Sequence, residues 1–156
     1  MKGAAQRAKT TKKNSNGMVG NEIKGNFKLE RRKSKIHRWG VFTMEPIPAR
    51  RRVIEYIGEI IDEEEMNRRS GKKLLYLFSV TDNKIIDGAV GGSGAQFINH
   101  SCDGNLKSYI VNGRVMLSSI RPIEAGEELT YDYNIAEEFD VECICGARKC
   151  RGKLGK

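Results

Sequence analysis

The sequence lacks any run of about eighteen consecutive apolar residues, which predicts that no segment of it crosses a membrane. The N-terminus is basic but is not followed by an apolar stretch, so no secretory signal is predicted. No internal repeat is found, and 156 residues are enough for one domain with a substantial core. We therefore expect a single domain with short appendages.

Acidic residues and large apolar side chains are scarce at the N-terminal end. Residues 1–38 carry 12 Lys and Arg against 2 Asp and Glu, whereas the rest of the chain carries 16 against 18. This composition predicts a basic disordered arm over residues 1–22, a folded body over 23–135 and a cysteine-rich segment over 139–156. Such an arm can contact nucleic acid without sequence preference, and the alternative is a tail that only aids solubility.

From Ile23 onward, short segments rich in β-branched and aromatic residues alternate with Gly, Pro, Asn and Asp. This pattern predicts a mainly β fold with a few short helices. The predicted strands are Phe27–Arg31, Val53–Tyr56, Glu59–Ile61, Leu75–Val80, Ile85–Asp87, Leu106–Val111 and Val115–Ser119. One helix is predicted over Glu63–Arg69, capped by Asp62 and ended at Gly71. Asn112-Gly113 predicts a tight hairpin between the last two strands.

Cysteine is also scarce, but all four cysteines are placed where they could close one metal site. Cys143, Cys145 and Cys150 form a C-x-C-x4-C cluster with three thiolates, and tetrahedral zinc needs a fourth ligand. Cys102 is the one remaining cysteine, and it would tie the C-terminal segment to a distant part of the chain. Two disulfides are the alternative, although these spacings suit metal ligation better than two unstrained bridges. The absence of a predicted signal favours a reducing compartment.

Both histidines, the only tryptophan and two closely spaced tyrosines fall in three short motifs. The first, His37-Arg38-Trp39-Gly40, holds the only tryptophan, and the second, Asn99-His100, holds the second of two histidines. The third, Tyr131-Asp132-Tyr133, comes just before the cysteine cluster. Taken singly, each has a structural explanation: a hydrogen-bonded core histidine, an aromatic plug, or two tyrosines packed on one face of a strand. Their order along the chain favours a different interpretation.

Residues 24–155 resemble the SET-domain protein-lysine methyltransferases. The resemblance depends mainly on the motif Phe97–Cys102 followed by the motif Glu127–Tyr133. Ser34–Gly40 is similar to the first cofactor motif of that family, and Cys143–Leu154 is similar to its post-SET segment. Within the family the chain is most similar to the trithorax-like enzymes. It lacks the cysteine-rich segment that precedes the SET domain in some other members.

The resemblance implies a SET fold of small sheets with a C-terminal pseudoknot, followed by a post-SET tail fastened by zinc. It also implies that S-adenosyl-L-methionine enters one face and that the target lysine reaches it through a narrow channel from the other. The residues carried over to the cofactor site are His37, Arg38, Trp39, Asn99, His100, Tyr133 and Leu154. Those carried over to the lysine channel are Tyr133 as the central catalytic group, Tyr131 as the residue that limits methylation number, and Tyr76. Those carried over to zinc are Cys102, Cys143, Cys145 and Cys150.

Three positions differ from the usual pattern of the family. Gln96 stands where an arginine is usual, Ser93 stands near a usual asparagine, and Gly104 lies where a proline is usual. The change at Gln96 removes a charged contact near the cofactor. The three motifs and all four cysteines are intact, so an active enzyme is expected.

The implied function is transfer of a methyl group from S-adenosyl-L-methionine to a protein lysine, on a histone tail or another basic DNA-associated protein. Two alternatives stay open: a zinc-stabilised module that binds lysine-containing tails without catalysis, and a methyltransferase of a non-histone protein. We predict a monomer that touches no membrane. We place it in the nucleus or on chromosomes if the source is eukaryotic, and in the cytoplasm or a host cell if it is bacterial.

Overall fold

The computed structural model describes residues 21–69, 76–133, 135 and 141–155. Most of the arm predicted over residues 1–22, the predicted helix end at Gly71 and the junction between the body and the cysteine-rich segment lie outside the described residues. Within the described ranges, no helix is long and apolar enough to span a bilayer.

The described residues form a mainly β structure, as the composition predicts. They contain one α-helix, α1 (Glu63–Arg69), and one short 3₁₀ helix (Ala95–Phe97). The strands are β1 (Glu22–Ile23), β2 (Leu29–Lys33), β3 (Trp39–Thr43), β4 (Arg52–Tyr56), β5 (Glu59–Ile61), β6 (Leu77–Thr81), β7 (Lys84–Asp87), β8 (Asn99–His100), β9 (Leu106–Val111), β10 (Arg114–Ser119) and β11 (Glu128–Tyr131).

The strands form two sheets, and β11 is the junction of the larger one. That sheet has the order β1-β2-β3-β11-β9-β10-β4, with β8 also pairing to β11, while the smaller sheet has the order β5-β7-β6. β11 pairs antiparallel with β3 and parallel with both β8 and β9. In this register Thr130 lies opposite Asn99 and Tyr131 lies opposite His100. The second and third motifs of the sequence therefore become neighbours.

The loop between β8 and β9 crosses closely over β11. Asn105 fastens the crossing, because its side-chain nitrogen donates to the Glu128 carbonyl oxygen at 2.8 Å and its Oδ1 accepts from the Thr130 N–H at 3.0 Å. A Cβ on Gly104 would lie 2.6 Å from the Thr130 carbonyl oxygen, so the loop can pass this close only with glycine there. In this chain the close approach leaves no room for the Cβ that a proline at position 104 would carry.

The core is built from apolar side chains of strands in both sheets. Its most deeply buried members include Leu29, Val41, Val53, Val115, Leu117 and Leu129. Burying a side chain of this size contributes about 1.5–3 kcal/mol relative to leaving it exposed. Phe97 and Tyr133 are partly buried and pack against this core. These two aromatic side chains are therefore supported by the packed core.

The predictions that rest on capping and turn chemistry are confirmed. α1 spans Glu63–Arg69 as predicted, and Asp62 caps it by accepting a hydrogen bond from the Glu65 N–H at 2.9 Å. Asn112 and Gly113 have φ angles of 50° and 71°, the left-handed values that a two-residue hairpin turn requires.

The local pattern misses four strands: β1, β3, β8 and β11. β1 and β8 have only two residues each, too few to show a period. In β3 the consecutive residues Gly40 and Val41 are both buried, so the alternation that marks a half-buried strand is absent. β11 is likewise buried at three successive positions. The first predicted strand, Phe27–Arg31, begins later in the structure, at Leu29.

Candidate functional site

A cavity of about 340 Å³ opens between three segments that lie far apart in the sequence. They are residues 36–39 at the start of β3, residues 96–100 around β8, and residues 141–154 of the C-terminal tail. The residues lining it are Ile36, His37, Arg38, Trp39, Tyr76, Gln96, Phe97, Asn99, His100, Tyr133, Val141, Glu142, Cys143, Ile144, Cys145 and Leu154. All seven residues predicted for the cofactor line this cavity, and so does Tyr76.

The side chain of Asn99 holds the first segment against β11. Its buried amide nitrogen donates to the Trp39 carbonyl oxygen at 2.8 Å and to Glu128 Oε1 at 2.9 Å. The other Glu128 oxygen accepts from the Ser34 hydroxyl at 3.0 Å. Gly40 leaves room for this carboxylate, because a Cβ there would collide with it. The glycine of the first motif thus allows a carboxylate and an amide to fix the backbone that borders the cavity.

Trp39 makes a cation–π contact although 39% of it is exposed. The guanidinium of Arg31 lies 4.9 Å from the Trp39 ring centroid and 4.8 Å from that of Phe97, at cation–π distance from both. Tyr76 packs edge-on against Phe97, with ring centroids 5.6 Å apart. A row of aromatic side chains therefore borders one side of the cavity.

Four of the five tyrosines gather beside this row, and Tyr56 is the one that sequence reasoning did not single out. The Tyr56 hydroxyl donates to the Tyr76 carbonyl oxygen at 2.8 Å. Burial raises the pKa of Tyr56, Tyr131 and Tyr133 well above the usual range, so these hydroxyls stay protonated at neutral pH. Burial also raises the pKa of Tyr76, with Arg38 and Arg31 opposing the rise.

Tyr133 faces the cavity, whereas Tyr131 supports it from behind. The Tyr133 hydroxyl donates to the Ile98 carbonyl oxygen at 2.7 Å, and its ring lies 4.9 Å from the Tyr131 ring. Tyr131 is only 5% exposed and does not itself line the cavity. The hydroxyl of Tyr133 is therefore fixed in direction by a short hydrogen bond and by ring packing.

The buried ring of His100 faces protein groups with both nitrogens. Its Nδ1 accepts a hydrogen bond from the Tyr133 N–H at 3.2 Å and lies 3.8 Å from Asp132 Oδ1. Its Nε2 lies 3.3 Å from the sulfur of Cys102. One side chain thus connects the cysteine cluster with the backbone of the candidate catalytic tyrosine.

The structure brings the distant Cys102 next to Cys143 of the C-terminal cluster. The sulfur atoms of Cys102 and Cys143 lie 3.7 Å apart. Four thiolates around zinc, with Zn–S bonds of about 2.3 Å, are separated by about 3.8 Å, whereas a disulfide needs about 2.0 Å. His100, Cys102, Cys143 and Cys145 each place one ligand atom within 4.8 Å of the others, and the Cys150 thiol interacts with those of Cys143 and Cys145. The donor set fits a tetrahedral metal ion.

The pKa values of two thiols in this cluster are shifted in opposite directions. Burial raises the pKa of Cys143. Burial acts in the same direction on Cys145, but hydrogen bonds from the backbone of Cys102 and Ala147 outweigh it and lower the pKa of Cys145. Thiolate ligands are favoured further by a bound dication.

Arg151 ties the tail to the tyrosine motif. Its guanidinium makes a bidentate pair with Asp132 at 2.9 and 3.0 Å, and its backbone N–H donates to the Cys102 sulfur at 3.4 Å. Leu154 is held nearby, because its N–H donates to the Val141 carbonyl oxygen at 2.9 Å. The only sequence signal for Arg151 is its position directly after the last cysteine.

The unusual residue Gln96 lies in the cavity wall. It is 6% exposed, and its Oε1 accepts from the Gly94 N–H at 2.8 Å. Its Nε2 has no hydrogen-bond partner among the described residues. Ser93 contributes to the same loop, since its hydroxyl donates to the Glu55 carbonyl oxygen at 2.6 Å. A neutral amide therefore occupies the position where the family usually has a charge.

Residues 38–134 match the SET domain family. The histone-lysine N-methyltransferase, H3 lysine-4 specific, of Candida albicans is 39% identical over 136 residues, which cover 78% of this chain and 13% of that protein. The histone-lysine N-methyltransferase set1 of Dictyostelium discoideum is 42% identical over 139 residues, which cover 82% and 9%. The chain thus spans a small part of the length of these curated relatives.

Solved structures give the same fold. KRYPTONITE in complex with mCHG DNA and SAH matches with a TM-score of 0.71 and 34% identity, covering 83% of this chain and 29% of that one. The Chaetomium thermophilum polycomb repressive complex 2 matches with a TM-score of 0.64 and 34% identity, covering 69% and 15%. Because the family match takes in more than half of the sequence and the fold agrees with it, this chain belongs to the SET-domain family.

Proposed function

We propose that this chain is a protein-lysine N-methyltransferase that uses S-adenosyl-L-methionine. The observation that carries the proposal is one cavity that unites every residue predicted for the cofactor with Tyr76 and Tyr133 of the predicted lysine channel. The names of the Candida and Dictyostelium relatives and the SAH bound to KRYPTONITE support it.

The cavity walls suit a ligand that is flat and apolar at one end and charged at the other. When bound, S-adenosyl-L-methionine supplies a methyl group on a positively charged sulfur. Ile36, Trp39 and Leu154 offer an apolar surface to an adenine ring, and Arg38 and Glu142 offer opposite charges to a carboxylate and an ammonium group.

The aromatic side of the cavity can favour the reactive form of the target lysine. A free lysine has a pKa of about 10.4, so deprotonating it at pH 7.4 costs roughly 4 kcal/mol. Tyr76, Phe97 and Tyr133 line this side with uncharged aromatic rings, and the guanidinium of Arg31 lies 4.8 Å from the Phe97 ring. Apolar surroundings and a nearby positive charge both disfavour an ammonium group and lower that cost. The remaining gain comes from alignment of the amine with the methyl group. We assign no dedicated general base.

Zinc is proposed as a structural ion bound by Cys102, Cys143, Cys145 and Cys150. The 3.7 Å separation between two of the sulfur atoms supports this ligand set. Because Cys143 and Cys145 also line the cavity, the metal would fix one of its walls.

The substrate class is proposed to be a histone tail, with histone H3 first, because the Candida relative is named as specific for H3 lysine-4. A nuclear location follows from that substrate. We propose that the chain acts as a monomer.

The test is incubation of the chain with labelled S-adenosyl-L-methionine and a panel of histones, histone peptides and other DNA-binding proteins. We expect label on the N-terminal H3 peptide, and none when its target lysine is replaced by arginine. Label only on other proteins would move the substrate away from histones. Cofactor binding by calorimetry with no transfer to any protein would favour the non-catalytic binding module instead.

Replacing Tyr131 with phenylalanine is expected to shift the product toward di- and tri-methyl-lysine, while the natural enzyme gives mainly mono-methyl-lysine. The buried Tyr131 hydroxyl stays protonated and can hold a water that occupies the space of further methyl groups. Mass spectrometry of a methylated peptide measures this distribution. Abundant tri-methyl-lysine from the unmutated enzyme would show that Tyr131 is not the limiting group.

Removing residues 1–21 is expected to leave methylation of a short peptide unchanged and to slow methylation of a DNA-bound substrate. The reason is that residues 1–21 carry five Lys and Arg and no Asp or Glu, and contact with phosphates weakens as salt rises. The measurement compares the methylation rates of the full and shortened chains on nucleosomes, at low and at high salt. Equal rates at low salt would leave the arm without this role.

A further inference from the structure

His100 lies between the backbone N–H of Tyr133 and the sulfur of Cys102. These two neighbours determine which ring nitrogen carries the proton. The backbone N–H of Tyr133 can only donate, so Nδ1 of His100, at 3.2 Å, must offer a lone pair. A neutral imidazole carries one N–H, which is then on Nε2. That nitrogen lies 3.3 Å from the sulfur of Cys102.

Asp132 does not change this assignment. Its Oδ1 lies 3.8 Å from His100 Nδ1, which is beyond hydrogen-bond distance. Both carboxylate oxygens instead accept from the guanidinium of Arg151, at 2.9 and 3.0 Å. Of these two groups, the Tyr133 amide is the nearer to Nδ1.

We propose that His100 is a positioning residue that donates its Nε2–H to the Cys102 thiolate and is not itself a metal ligand. A nitrogen that holds a proton has no lone pair for a metal, so the cluster is left with four thiolates. The same ring accepts from the Tyr133 backbone, so the hydrogen bond to sulfur also locates the candidate catalytic tyrosine. This inference rests on the proposed function, in which zinc fixes the cavity wall and Tyr133 acts in catalysis.

The arrangement gives His100 two separable contacts. A hydrogen bond to a metal-bound thiolate lowers the charge on sulfur and orients it, and such outer contacts typically change metal affinity by about 10- to 100-fold. The hydrogen bond from the Tyr133 N–H does not involve the metal-binding thiolates. It helps to position the tyrosine ring, whose centroid is 5.2 Å from that of His100.

Nitrogen-15 NMR of the zinc-loaded full chain tests the proton position directly. The chain has two histidines, and the other one, His37, is exposed and serves as an internal reference. We expect one histidine locked with its proton on Nε2 and one with averaged tautomers. A proton on Nδ1 of His100, or the shift of a metal-bound Nε2, would overturn the proposal.

Two variants separate the contacts, since asparagine places an acceptor near the Nδ1 position and glutamine places a donor near the Nε2 position. His100→Asn should release zinc to a chelator about 10- to 100-fold faster, while His100→Gln should release it near the unmutated rate. His100→Gln should instead lower kcat, because its contact with Tyr133 is lost. Equal zinc release from both variants would contradict the assigned role. Zinc release and NMR do not depend on methyl transfer, so an inactive protein would refute the proposed function alone.

Discussion

Tyr133→Phe is expected to lower kcat by about 100-fold or more while changing the Kd for S-adenosyl-L-methionine by less than about threefold. The Tyr133 ring is held by contacts that phenylalanine keeps, at 4.9 Å from Tyr131 and 5.2 Å from His100. What disappears is the hydroxyl that donates to the Ile98 carbonyl oxygen at 2.7 Å, which we propose orients the methyl group during transfer. A loss confined to the transition state appears in kcat and not in binding.

The matched control is Tyr109→Phe, which removes a hydroxyl from the fifth tyrosine. Tyr109 is 45% exposed on β9 and has no part in the cavity. Single-turnover kinetics and calorimetry on both variants, with circular dichroism to verify folding, provide the measurement. If Tyr133→Phe keeps near-normal kcat, the hydroxyl has no role in the chemical step.

The parts of the fold that depend on neighbouring residues could be predicted from the sequence. The cap at Asp62 and the turn at Asn112-Gly113 follow from short-range hydrogen bonds and backbone angles, and both are confirmed. β11 could not be found in this way. Its pairing with β3, β8 and β9 is long-range, and its continuous burial hides the strand period.

In the candidate site too, residues in local motifs could be predicted, whereas residues that act through long-range contacts could not. The predicted cofactor residues were carried over from motifs, and the structure brings them to one cavity. Glu128 and Arg31 were given no role from the sequence, because each contacts side chains that belong to other strands or motifs. Glu128 reaches Asn99 past Gly40, and Arg31 reaches Trp39 and Phe97 from β2. Such contacts leave no local signature, since a carboxylate or guanidinium on a strand usually faces solvent.

Because the C-terminal tail forms part of the cavity wall, releasing the tail should strongly weaken cofactor binding. The tail contributes Val141, Cys143, Cys145 and Leu154 to the wall, yet Val141 is 46% exposed. Apart from the cysteine cluster, the described tail is joined to the body chiefly by the Arg151–Asp132 pair and a bridge from Ile135 to Gly155. A partly exposed ion pair contributes about 0–1 kcal/mol, whereas a structural zinc site contributes about 10–16 kcal/mol.

Cys145→Ser is therefore expected to abolish zinc binding, because a serine hydroxyl is a poor ligand for a thiolate site. Loss of zinc should expose residues 141–155 to hydrogen exchange and raise the Kd for S-adenosyl-L-methionine at least about tenfold. The strands should stay folded, since the buried core lies in the body of the chain. Ala147→Ser is the matched control, as it adds a hydroxyl within the same cluster loop without removing a ligand. Metal analysis, hydrogen exchange and calorimetry on both variants give the result. Zinc-free unmutated protein, or a Cys145→Ser variant that retains its metal and its cofactor affinity, would show that zinc does not fasten the tail over the cavity.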